Sequence, residues 1–302
     1  MENKTEFISI VGRPNVGKSS LLNKIIKQKI SIVSKKPQTT RTRIIGVYTK
    51  DNLQLVFIDT PGLHKPKTNL GQYMIRSISE SIMGVDVCLL VIDATKKISQ
   101  FELDLIEKFK KMKTTAILAI NKVDLIDDKT QIIKTILEYS NLYDFEAIVP
   151  LSANSGDGVD DLICELKKFA VASEHFFDND TFTDQPERTI AAEIIREKTL
   201  NFLDKEIPHG IAVYIEKMVE RKNRPEIIDI DAIIYCEKDS HKGIIIGKKG
   251  SMLKKIGSKA REDMEQFFLC KINLNIWVKV KEDWRNRESI LRSLGYDQNN
   301  FN

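Results

Sequence analysis

Residues 7–153 alternate short apolar runs with longer stretches in which apolar residues recur at helical spacing. The apolar runs have the length of buried strands and lie at 7–11, 53–58, 87–93, 115–121 and 146–152. The helical stretches lie near 18–27, 71–84, 99–112, 130–141 and 158–172. Buried strands that alternate with helices are typical of a mostly parallel sheet with helices on both faces. This part of the chain is therefore predicted to be an α/β domain.

The pattern changes after residue 172. Residues 173–189 are mostly polar and contain Pro186, so they are predicted to be a linker. The elements that follow come in the order α-β-β-α-α-β, which is typical of a smaller α+β domain. They include helices at 191–206 and 251–268 and strands at 210–217, 227–236 and 274–281. The predicted domains are thus 5–172 and 190–296, joined by the linker.

The composition is typical of a globular protein without membrane spans. The chain has 302 residues, of which 42% are hydrophobic and 30% charged, which suits about two globular domains. No run approaches the ~18 apolar residues of a membrane span, and the N-terminus lacks the pattern of a secretory signal. We therefore expect the chain to stay in the cytoplasm. The four cysteines have no C-x-x-C spacing, which argues against a zinc or redox motif.

A phosphate-binding motif follows the first predicted strand. Its G-x-x-x-x-G-K-[ST] pattern opens the first predicted helix, as the mechanism of such a loop requires. Gly12 and Gly17 let backbone N–H groups close around phosphate oxygens, and the helix N-terminus adds partial positive charge. Lys18 is predicted to neutralise the β- and γ-phosphates, and the Ser19 hydroxyl to ligate Mg²⁺. The predicted loop consists of Gly12, Arg13, Pro14, Asn15, Val16, Gly17, Lys18 and Ser19.

The second strand of this pattern ends in a D-x-x-G motif. The carboxylate of Asp59 is predicted to hold Mg²⁺ through water, and the N–H of Gly62 to meet the γ-phosphate. A threonine in the preceding polar stretch can complete the Mg²⁺ shell while the γ-phosphate is present, and we favour Thr40 over Thr39. The predicted nucleotide contacts in this motif are Asp59, Thr60, Pro61, Gly62 and Leu63.

Two later strand ends carry residues that suit guanine. The carboxylate of Asp124 can accept both the ring N–H and the exocyclic amine of guanine, a donor pair that adenine lacks, so GTP is favoured over ATP. The Asn121 amide is predicted to brace the phosphate loop or the purine, the Lys122 stem to lie on the base, and the Ala153 N–H to donate to guanine O6. Ligands of open α/β sheets bind at such strand ends. The predicted residues are Asn121, Lys122, Val123, Asp124, Ser152, Ala153 and Asn154.

A second candidate site lies in the α+β domain. The G-x-x-G sequence at Gly247–Gly250 precedes a predicted helix, as does the loop with which KH domains clamp about four single-stranded nucleotides. Residues 240–261 contain seven Lys or Arg and no Asp or Glu, which suits a polyanion. The predicted RNA contacts are Gly243, Ile244, Ile245, Ile246, Gly247, Lys248, Lys249, Gly250 and Lys254, the three isoleucines forming an apolar wall. Trp277 and Trp284 are expected to be packing residues.

In their order, the nucleotide motifs resemble the GTPases of the translation-factor-related class. With the second domain, a type II KH domain, residues 5–296 closely resemble the Era family of ribosome-assembly GTPases. Segments at 277–281 and 289–296 also resemble that family. The resemblance implies a GTPase that binds GTP and GDP with Mg²⁺. It also implies binding of small-subunit (16S) ribosomal RNA near its 3′ end, assembly of the small ribosomal subunit and partial association with the inner face of the cell membrane. We expect a monomer.

The position after the D-x-x-G motif departs from Ras-like proteins. It holds Leu63, which cannot orient the attacking water as their glutamine does. GTPases with this substitution resemble one another in carrying an asparagine in the phosphate loop, here Asn15, that is associated with bound K⁺. The catalytic residues are therefore predicted to be Lys18, Thr40, Gly62 and Asn15, with slow hydrolysis that K⁺ accelerates.

Other functions compete with a GTP-driven RNA-binding switch. One is a KH-type RNA-binding protein whose α/β domain is only structural, in which case RNA binding ignores the nucleotide. Another is a GTPase of tRNA modification, which would have no use for the KH domain. A third is an enzyme that uses ATP instead of GTP. In the switch hypothesis, GTP orders the loop around Thr40 and the polar segment 63–72, and this ordering reorients the KH domain through the linker.

Overall fold

The computed structural model of the chain describes residues 2–34, 36, 39–62, 68–74, 84–203 and 207–296. The chain forms two compact units. The first comprises Met1–Ser31, Thr40–Lys65 and Met74–Asp184, and the second comprises Ile32–Thr39, Pro66–Tyr73 and Gln185–Asn302. Within the part of the chain that is described, no helix is both long enough and apolar enough to cross a membrane.

The first unit is an α/β domain built on a seven-stranded sheet. Its strands are β1 (Lys4–Val11), β2 (Ile44–Lys50), β3 (Leu53–Asp59), β4 (Val87–Asp93), β5 (Ala116–Asn121), β6 (Ala147–Pro150) and β7 (Val171–Ala172). Its helices are α1 (Lys18–Ile26), α2 (Gln100–Met112), α3 (Lys129–Ser140) and α4 (Val159–Leu166). The strand order is β2-β3-β1-β4-β5-β6, with β7 paired to β1.

All neighbours in the sheet run parallel except β2 and β7. The central strands are buried along their whole length; every residue of β4 and β5 is buried. Such strands read as continuous apolar runs because helices cover both faces. One face packs on α2 through Leu105, Ile106 and Phe109. The predicted α/β class is confirmed, and the carboxyl ends of β1, β3, β4 and β5 meet at one edge of the sheet.

The second unit contains α5 (Glu187–Phe202), β8 (Ala212–Arg221), β9 (Arg224–Cys236), α6 (Asp239–Ile246), α7 (Ser251–Phe268), β10 (Lys271–Val280) and α8 (Glu288–Ser293). Strands β8 and β9 are antiparallel, β9 and β10 are parallel, and β10 lies at an edge of the three-stranded sheet. The predicted α-β-β-α-α-β order is confirmed. The helices pack on one face of this sheet around a core that includes Ile194, Ile234, Ile245, Ile256 and Met264.

Three details differ from the sequence prediction. Strand β2 was not predicted; it forms a hairpin with β3 and is the antiparallel edge of the sheet. The helix predicted at 158–172 ends at Leu166 and is followed by a 3₁₀ turn and β7. Most of the helix predicted at 71–84 lies outside the described residues, which show helix only at 69–74.

The segment predicted as a linker packs on the first unit over much of its length. Gln54, which is buried on β3, accepts from the N–H groups of Phe176 and Phe177 at 2.9 and 3.0 Å and donates to the Phe177 carbonyl at 2.9 Å. Thr183 donates to the carbonyl of Ile45 at 2.7 Å. The division between the units falls after Asp184, inside the predicted linker.

Candidate functional site

The phosphate loop occupies the turn between β1 and α1. Gly12 has φ +147°, and a Cβ on it would lie 2.3 Å from the Val91 carbonyl oxygen; Gly17 has φ +101°, and its Cβ would lie 2.2 Å from Nδ2 of Asn121. Both values are far below any real contact distance, and L side chains rarely adopt either φ. The two glycines therefore let the loop lie directly against the ends of β4 and β5.

The ammonium group of Lys18 lies inside this loop. Its Nζ donates to the carbonyl oxygens of Gly12 and Arg13, both at 3.0 Å. Burial lowers the pKa of Lys18 to about 8, although the nearby charge of Asp59 partly opposes the shift. Burial without a full countercharge disfavours the ammonium form. Phosphate oxygens at this position would supply that charge, so the loop is suited to an anion.

Four oxygen-bearing side chains converge beside Lys18. Ser19 Oγ donates to Asp59 Oδ2 at 2.7 Å and lies 2.9 Å from Thr40 Oγ1. Ser31 donates to the same Asp59 oxygen at 3.1 Å. The other carboxylate oxygen, Oδ1, is buried and has no hydrogen-bond partner among the described residues, and burial raises the pKa of Asp59. Two hydroxyls and a carboxylate are the hard oxygen donors that Mg²⁺ prefers, so the cluster fits that ion.

The two candidate threonines are placed differently. Thr40 is buried and contacts Ser19, whereas the Thr39 hydroxyl donates to the Lys36 carbonyl at 2.6 Å. This placement supports Thr40 as the member of the oxygen cluster. In the D-x-x-G motif, the Thr60 hydroxyl is buried and donates to the carbonyl of Ile10 at 2.8 Å, which fixes the end of β3 to β1. Leu63 lies outside the described residues.

Asn121 ties the guanine motifs to the phosphate loop. Its Nδ2 donates to the carbonyl of Val16 at 2.8 Å. Its Oδ1 accepts from the backbone N–H groups of Lys122 and Ala153 at 2.8 and 2.9 Å. The Ala153 N–H was predicted to donate to guanine O6; here it is bonded to Asn121, so a base contact requires that this hydrogen bond be shared or exchanged. The buried side chain of Asn121 thus connects three loops by hydrogen bonds.

Lys122 stretches across the same edge of the sheet. Its backbone has φ 68°, and its Nζ donates to the carbonyl of Asn15 at 2.8 Å and pairs with Asp93 Oδ2 at 2.6 Å. Asp124 is exposed on a 3₁₀ turn, Val123–Leu125, where its carboxylate can meet a base from solvent. The hydroxyl of Ser152 caps the next loop by accepting from the Ser155 N–H at 3.1 Å.

Three residues at this edge were missed from the sequence. Asp93 holds Lys122, Ser31 donates to Asp59, and Glu102 on α2 pairs with Arg13 of the phosphate loop at 2.9 Å. Asp93 could have been found, because it ends a strand that the pattern places beside the phosphate loop. Glu102 and Ser31 gave no such signal, since both lie outside the strand ends.

A groove of about 680 Å³ runs between α7 and the edge strand β10 in the second unit. It is lined by Gly250, Leu253, Lys254, Gly257, Ser258, Arg261, Leu274, Asn275, Ile276 and Trp277. At its end the G-x-x-G loop turns through Gly247 (φ 73°) and Lys249 (φ 51°). Lys254 and Arg261 provide positive charge on the helical wall, and the leucines and Ile276 provide an apolar one. The groove has the character of a single-stranded nucleic-acid site.

The predicted apolar wall needs correction. Ile245 is fully buried and belongs to the core of the second unit, so it cannot contact a ligand. Ile246 packs partly against the same core, whereas Ile244 is half exposed. The three residues form the last turn of α6 and therefore point in different directions. The apolar lining comes instead from α7 and β10, which helical spacing alone did not indicate.

Taken together, the fold and the nucleotide-loop geometry define a P-loop GTPase domain followed by a KH domain. Residues 7–122 match the family described as 50S ribosome-binding GTPase, and residues 206–285 match the KH domain family. The chain is 51% identical to GTPase Era of Ruminiclostridium cellulolyticum, covering 99% of each chain, and 49% identical to GTPase Era of Clostridioides difficile, covering 97% of this chain and 99% of that one.

Solved structures agree with this assignment. The chain is similar to Era in complex with MgGDPNP and nucleotides 1506–1542 of 16S ribosomal RNA, with TM-score 0.93, 38% identity, and coverage of 97% of this chain and 99% of that one. A point variant of Aquifex aeolicus Era bound to GDP and aluminium fluoride matches with the same values. The chain belongs to the Era family of GTPases, and it is an enzyme that hydrolyses GTP.

Proposed function

We propose that this protein is a GTP-controlled switch that binds the 3′ region of small-subunit ribosomal RNA through its KH groove and acts in assembly of the small ribosomal subunit. The main support is the related Era structure, which holds a GTP analogue and nucleotides 1506–1542 of 16S ribosomal RNA together. The basic, partly apolar groove between α7 and β10 supplies a matching surface in this chain. Lys254 and the G-x-x-G lysines would meet phosphates, and the apolar wall would meet bases.

The nucleotide site is proposed to hold Mg²⁺ through Ser19, Thr40 and Asp59. Bound with the nucleotide, the ion offsets the charge of the β- and γ-phosphates. Lys18 would exchange its two carbonyl partners for phosphate oxygens, and the N–H of Gly62 would meet the γ-phosphate. The contact between Thr40 and Ser19 supports Thr40 as the threonine that would join the Mg²⁺ site.

Guanine selectivity is assigned to Asp124, with Asn121 as its support. Asp124→Asn would remove an acceptor for the guanine N–H pair and is expected to abolish the preference for GTP over ATP. Unchanged selectivity for GTP in a competition assay with fluorescent GDP would show that Asp124 is not the residue that selects guanine. Asn121 would then be only a structural brace.

K⁺ is proposed to assist hydrolysis at Asn15. The positive φ of Asn15 and its place at the exposed rim of the phosphate loop support a role there. Bound beside the phosphates, K⁺ offsets negative charge that develops during hydrolysis. Turnover measured at equal ionic strength should be faster in KCl than in NaCl for the wild type and equal in both salts for Asn15→Ala. Equal wild-type turnover in both salts would contradict this assignment.

The decisive experiment measures RNA affinity in two nucleotide states at fixed salt. The probe is a short single-stranded RNA from the 3′ end of small-subunit ribosomal RNA, with a non-hydrolysable GTP analogue or with GDP. Tighter binding with the analogue supports the switch. Equal, appreciable binding supports a constitutive RNA-binding protein whose α/β domain is structural. Absence of binding in both states would refute RNA binding by the groove or the choice of this RNA.

The family resemblance also leads us to propose that the protein acts in the cytoplasm as a monomer, partly in peripheral contact with the inner face of the cell membrane. Sedimentation with vesicles of anionic lipid, with and without GTP, tests the membrane contact, and sedimentation equilibrium tests the oligomeric state.

A further inference from the structure

The second unit has an outer sheet face that its helices do not cover. Ile234 on β9 and Val278 on β10 point into the core, so their chain neighbours Ile233 and Trp277 point to the opposite face. Trp277 is the register partner of Ile233, and Ile233 is the partner of Tyr214 on β8. Tyr214, Ile233 and Trp277 therefore form one row across all three strands.

The row is apolar in the middle and aromatic at both ends. Tyr214 is 41% exposed and Trp277 is 47% exposed, whereas Ile233 between them is only 2% exposed. The two flanking rings lie two strand spacings apart, about 10 Å. Two flat rings held at a fixed spacing on a sheet resemble the way in which RRM domains stack bases on sheet aromatics.

The row is continuous with the KH groove. Asn275 and Trp277 line the groove although they sit on the outer face, because β10 is the edge strand between the two surfaces. A single-stranded RNA that leaves the groove at this end would therefore reach the Trp277 ring first. Across β9, the Tyr214 ring is the next exposed aromatic surface.

The charges around the row suit a phosphate backbone. Lys279 follows Trp277 on the same face, and the Lys281 Nζ lies 4.5 Å from the centre of the Tyr235 ring. Two neighbouring carboxylates are engaged within the sheet: Asp229 pairs with Arg221 at 2.5 Å, and Asp231 accepts from Asn275 at 2.9 Å. Glu216, which is exposed on β8 near Tyr235, places one negative charge against the lysines. The lysines are thus available to phosphates, while these two carboxylates already have donors.

We propose that RNA leaving the KH groove crosses the edge of the sheet and stacks one base on Trp277 and another on Tyr214. The inference rests on the proposed function, because it assumes single-stranded RNA in the groove. It extends the RNA site beyond the ~4 nucleotides that a G-x-x-G clamp holds. Stacking accepts any base, so the row would add affinity and strand direction without adding sequence preference.

The test compares two single-stranded RNAs, one of about four nucleotides and one extended by about four at each end. The wild type should bind the longer RNA more tightly. Trp277→Leu and Tyr214→Leu should each lose roughly five- to a hundredfold of affinity for the longer RNA. Tyr214→Leu should bind the shorter RNA as the wild type does. Val219→Ala, at an exposed apolar residue on the same strand, is the matched control and should change neither affinity.

A second readout separates stacking from a general effect on folding. The chain has two tryptophans, and Trp284 is fully buried with its indole N–H bonded to the Gly210 carbonyl. The longer RNA should therefore quench fluorescence from Trp277, and the quenching should vanish in Trp277→Leu. The slope of affinity against salt should stay unchanged in both leucine variants, because stacking releases no counterions.

Binding of the two RNAs distinguishes failure of the stacking row from failure of RNA binding by the groove. If the wild type binds neither RNA, the proposed RNA binding by the groove fails, and the stacking row fails with it. If it binds the shorter RNA but gains nothing from the longer one, or if both leucine variants keep the gain, the RNA-stacking row is refuted. The exposed face would then be assigned to a protein partner.

Discussion

Gly17 joins two parts of the nucleotide site that lie far apart in sequence. A Cβ on it would lie 2.2 Å from Nδ2 of Asn121, the same atom that donates to the phosphate loop at Val16. A methyl group at Gly17 must therefore displace Asn121 and, with it, the hydrogen bonds to Lys122 and Ala153. A change in the phosphate loop at Gly17 therefore also disturbs the loops predicted to bind guanine.

We predict that Gly17→Ala abolishes detectable nucleotide binding and lowers the free energy of unfolding by about 1–3 kcal/mol, through backbone strain at φ +101°. Titration with fluorescent GDP and chemical denaturation measure the two effects. The matched control is Gly84→Ala, since Gly84 has a similar φ of +80° but a Cβ on it would meet no atom within 4 Å. Gly84→Ala should lower the free energy of unfolding through the same backbone strain but bind GDP as the wild type does. Loss of GDP binding in Gly84→Ala would contradict the steric argument.

Glu6 is a buried carboxyl group that the nucleotide chemistry does not use. It is fully buried on β1, and neither of its oxygens has a hydrogen-bond partner among the described residues. Burial and, secondarily, the charge of Asp86 raise its pKa from 4.5 to about 9. The folded protein therefore keeps this proton at pH values where the unfolded chain has lost it.

The sign of the pH dependence follows from that difference. Below about pH 4.5 both states are protonated; as pH rises toward about 9, ionisation favours only the unfolded chain. We predict that Glu6→Gln is more stable than the wild type near neutral pH. Its advantage should grow between about pH 5 and 8 by up to ~1.4 kcal/mol per pH unit. Urea denaturation at several pH values measures it, and a constant difference would contradict the prediction.

Asp86→Asn tests the smaller cause of the raised Glu6 pKa, which is the charge of Asp86. Asp86 Oδ2 accepts from the Phe7 N–H at 2.7 Å, and an asparagine oxygen can keep that hydrogen bond. This variant should reduce the pH dependence of stability without removing it, because burial remains.

At the scale of single elements, helix α2 connects its own N-terminus to the phosphate loop. Glu102 accepts from the backbone N–H and the hydroxyl of Ser99 at 2.8 and 2.9 Å, which forms a capping box. Its other carboxylate oxygen lies 2.9 Å from Nε of Arg13. The side chain that begins the helix thus also anchors the loop that would hold phosphate.

Two substitutions should separate these roles. Ser99→Ala is expected to lower the free energy of unfolding by about 1 kcal/mol and leave GDP affinity unchanged, because only the cap is lost. Glu102→Gln keeps an acceptor for the Ser99 N–H but removes the charge opposite Arg13, so GDP affinity should fall several-fold. Thermal unfolding and fluorescent-GDP titration measure the pair. Equal GDP affinity in both variants would show that Arg13 needs no anchor.

Elements whose burial is uniform were the easiest to predict from the sequence. Strands β3, β4 and β5 are mostly apolar because both faces are covered, and α7 begins and ends where its apolar spacing indicates. Strand β2 was missed because an edge strand with Gly46 carries a weaker signal. The predicted linker is held by scattered hydrogen bonds, such as those of Gln54 and Thr183, and such contacts leave no periodic pattern in the sequence.

The site residues show the same limit. Motif spacing identified the phosphate loop and its partners, because backbone geometry there requires particular residue types. It could not distinguish the two tryptophans, of which Trp284 is buried and Trp277 is half exposed on the groove. Nor could it show that Ile245 faces the core. Such differences depend on which side of a helix or strand is covered, and that is decided by tertiary packing.

At the scale of the whole molecule, the division into units does not follow the order of the chain. Residues Ile32–Thr39 belong to the KH-containing unit, whereas Ser31 and Thr40 on either side belong to the GTPase unit. Within the second unit, Glu197 on α5 accepts from the Val33 N–H at 2.9 Å, and Arg196 donates to the Thr39 carbonyl. The residue that follows, Thr40, contacts Ser19 in the nucleotide site. The chain at Thr39 and Thr40 therefore connects α5 of the second unit with the nucleotide site of the first, in addition to the predicted linker.

We predict that Arg196→Met uncouples RNA binding from the nucleotide. It removes the donor to the Thr39 carbonyl but keeps an unbranched side chain in the buried position of Arg196. If Thr39 transmits the ordering of Thr40 by the γ-phosphate, the ratio of RNA affinities with a GTP analogue and with GDP should fall toward one. RNA affinity with GDP should stay near that of the wild type, which shows that the groove is intact.

The matched control is Arg188→Met, because Arg188 lies on the same helix but is exposed. It should keep the wild-type ratio of RNA affinities in the two nucleotide states. An unchanged ratio in Arg196→Met, with GDP-state RNA binding preserved, would assign the coupling to the predicted linker instead. Because Thr39 and Thr40 are adjacent, a change at Thr40 that depends on the γ-phosphate would reach α5 through the hydrogen bond between Arg196 and the Thr39 carbonyl.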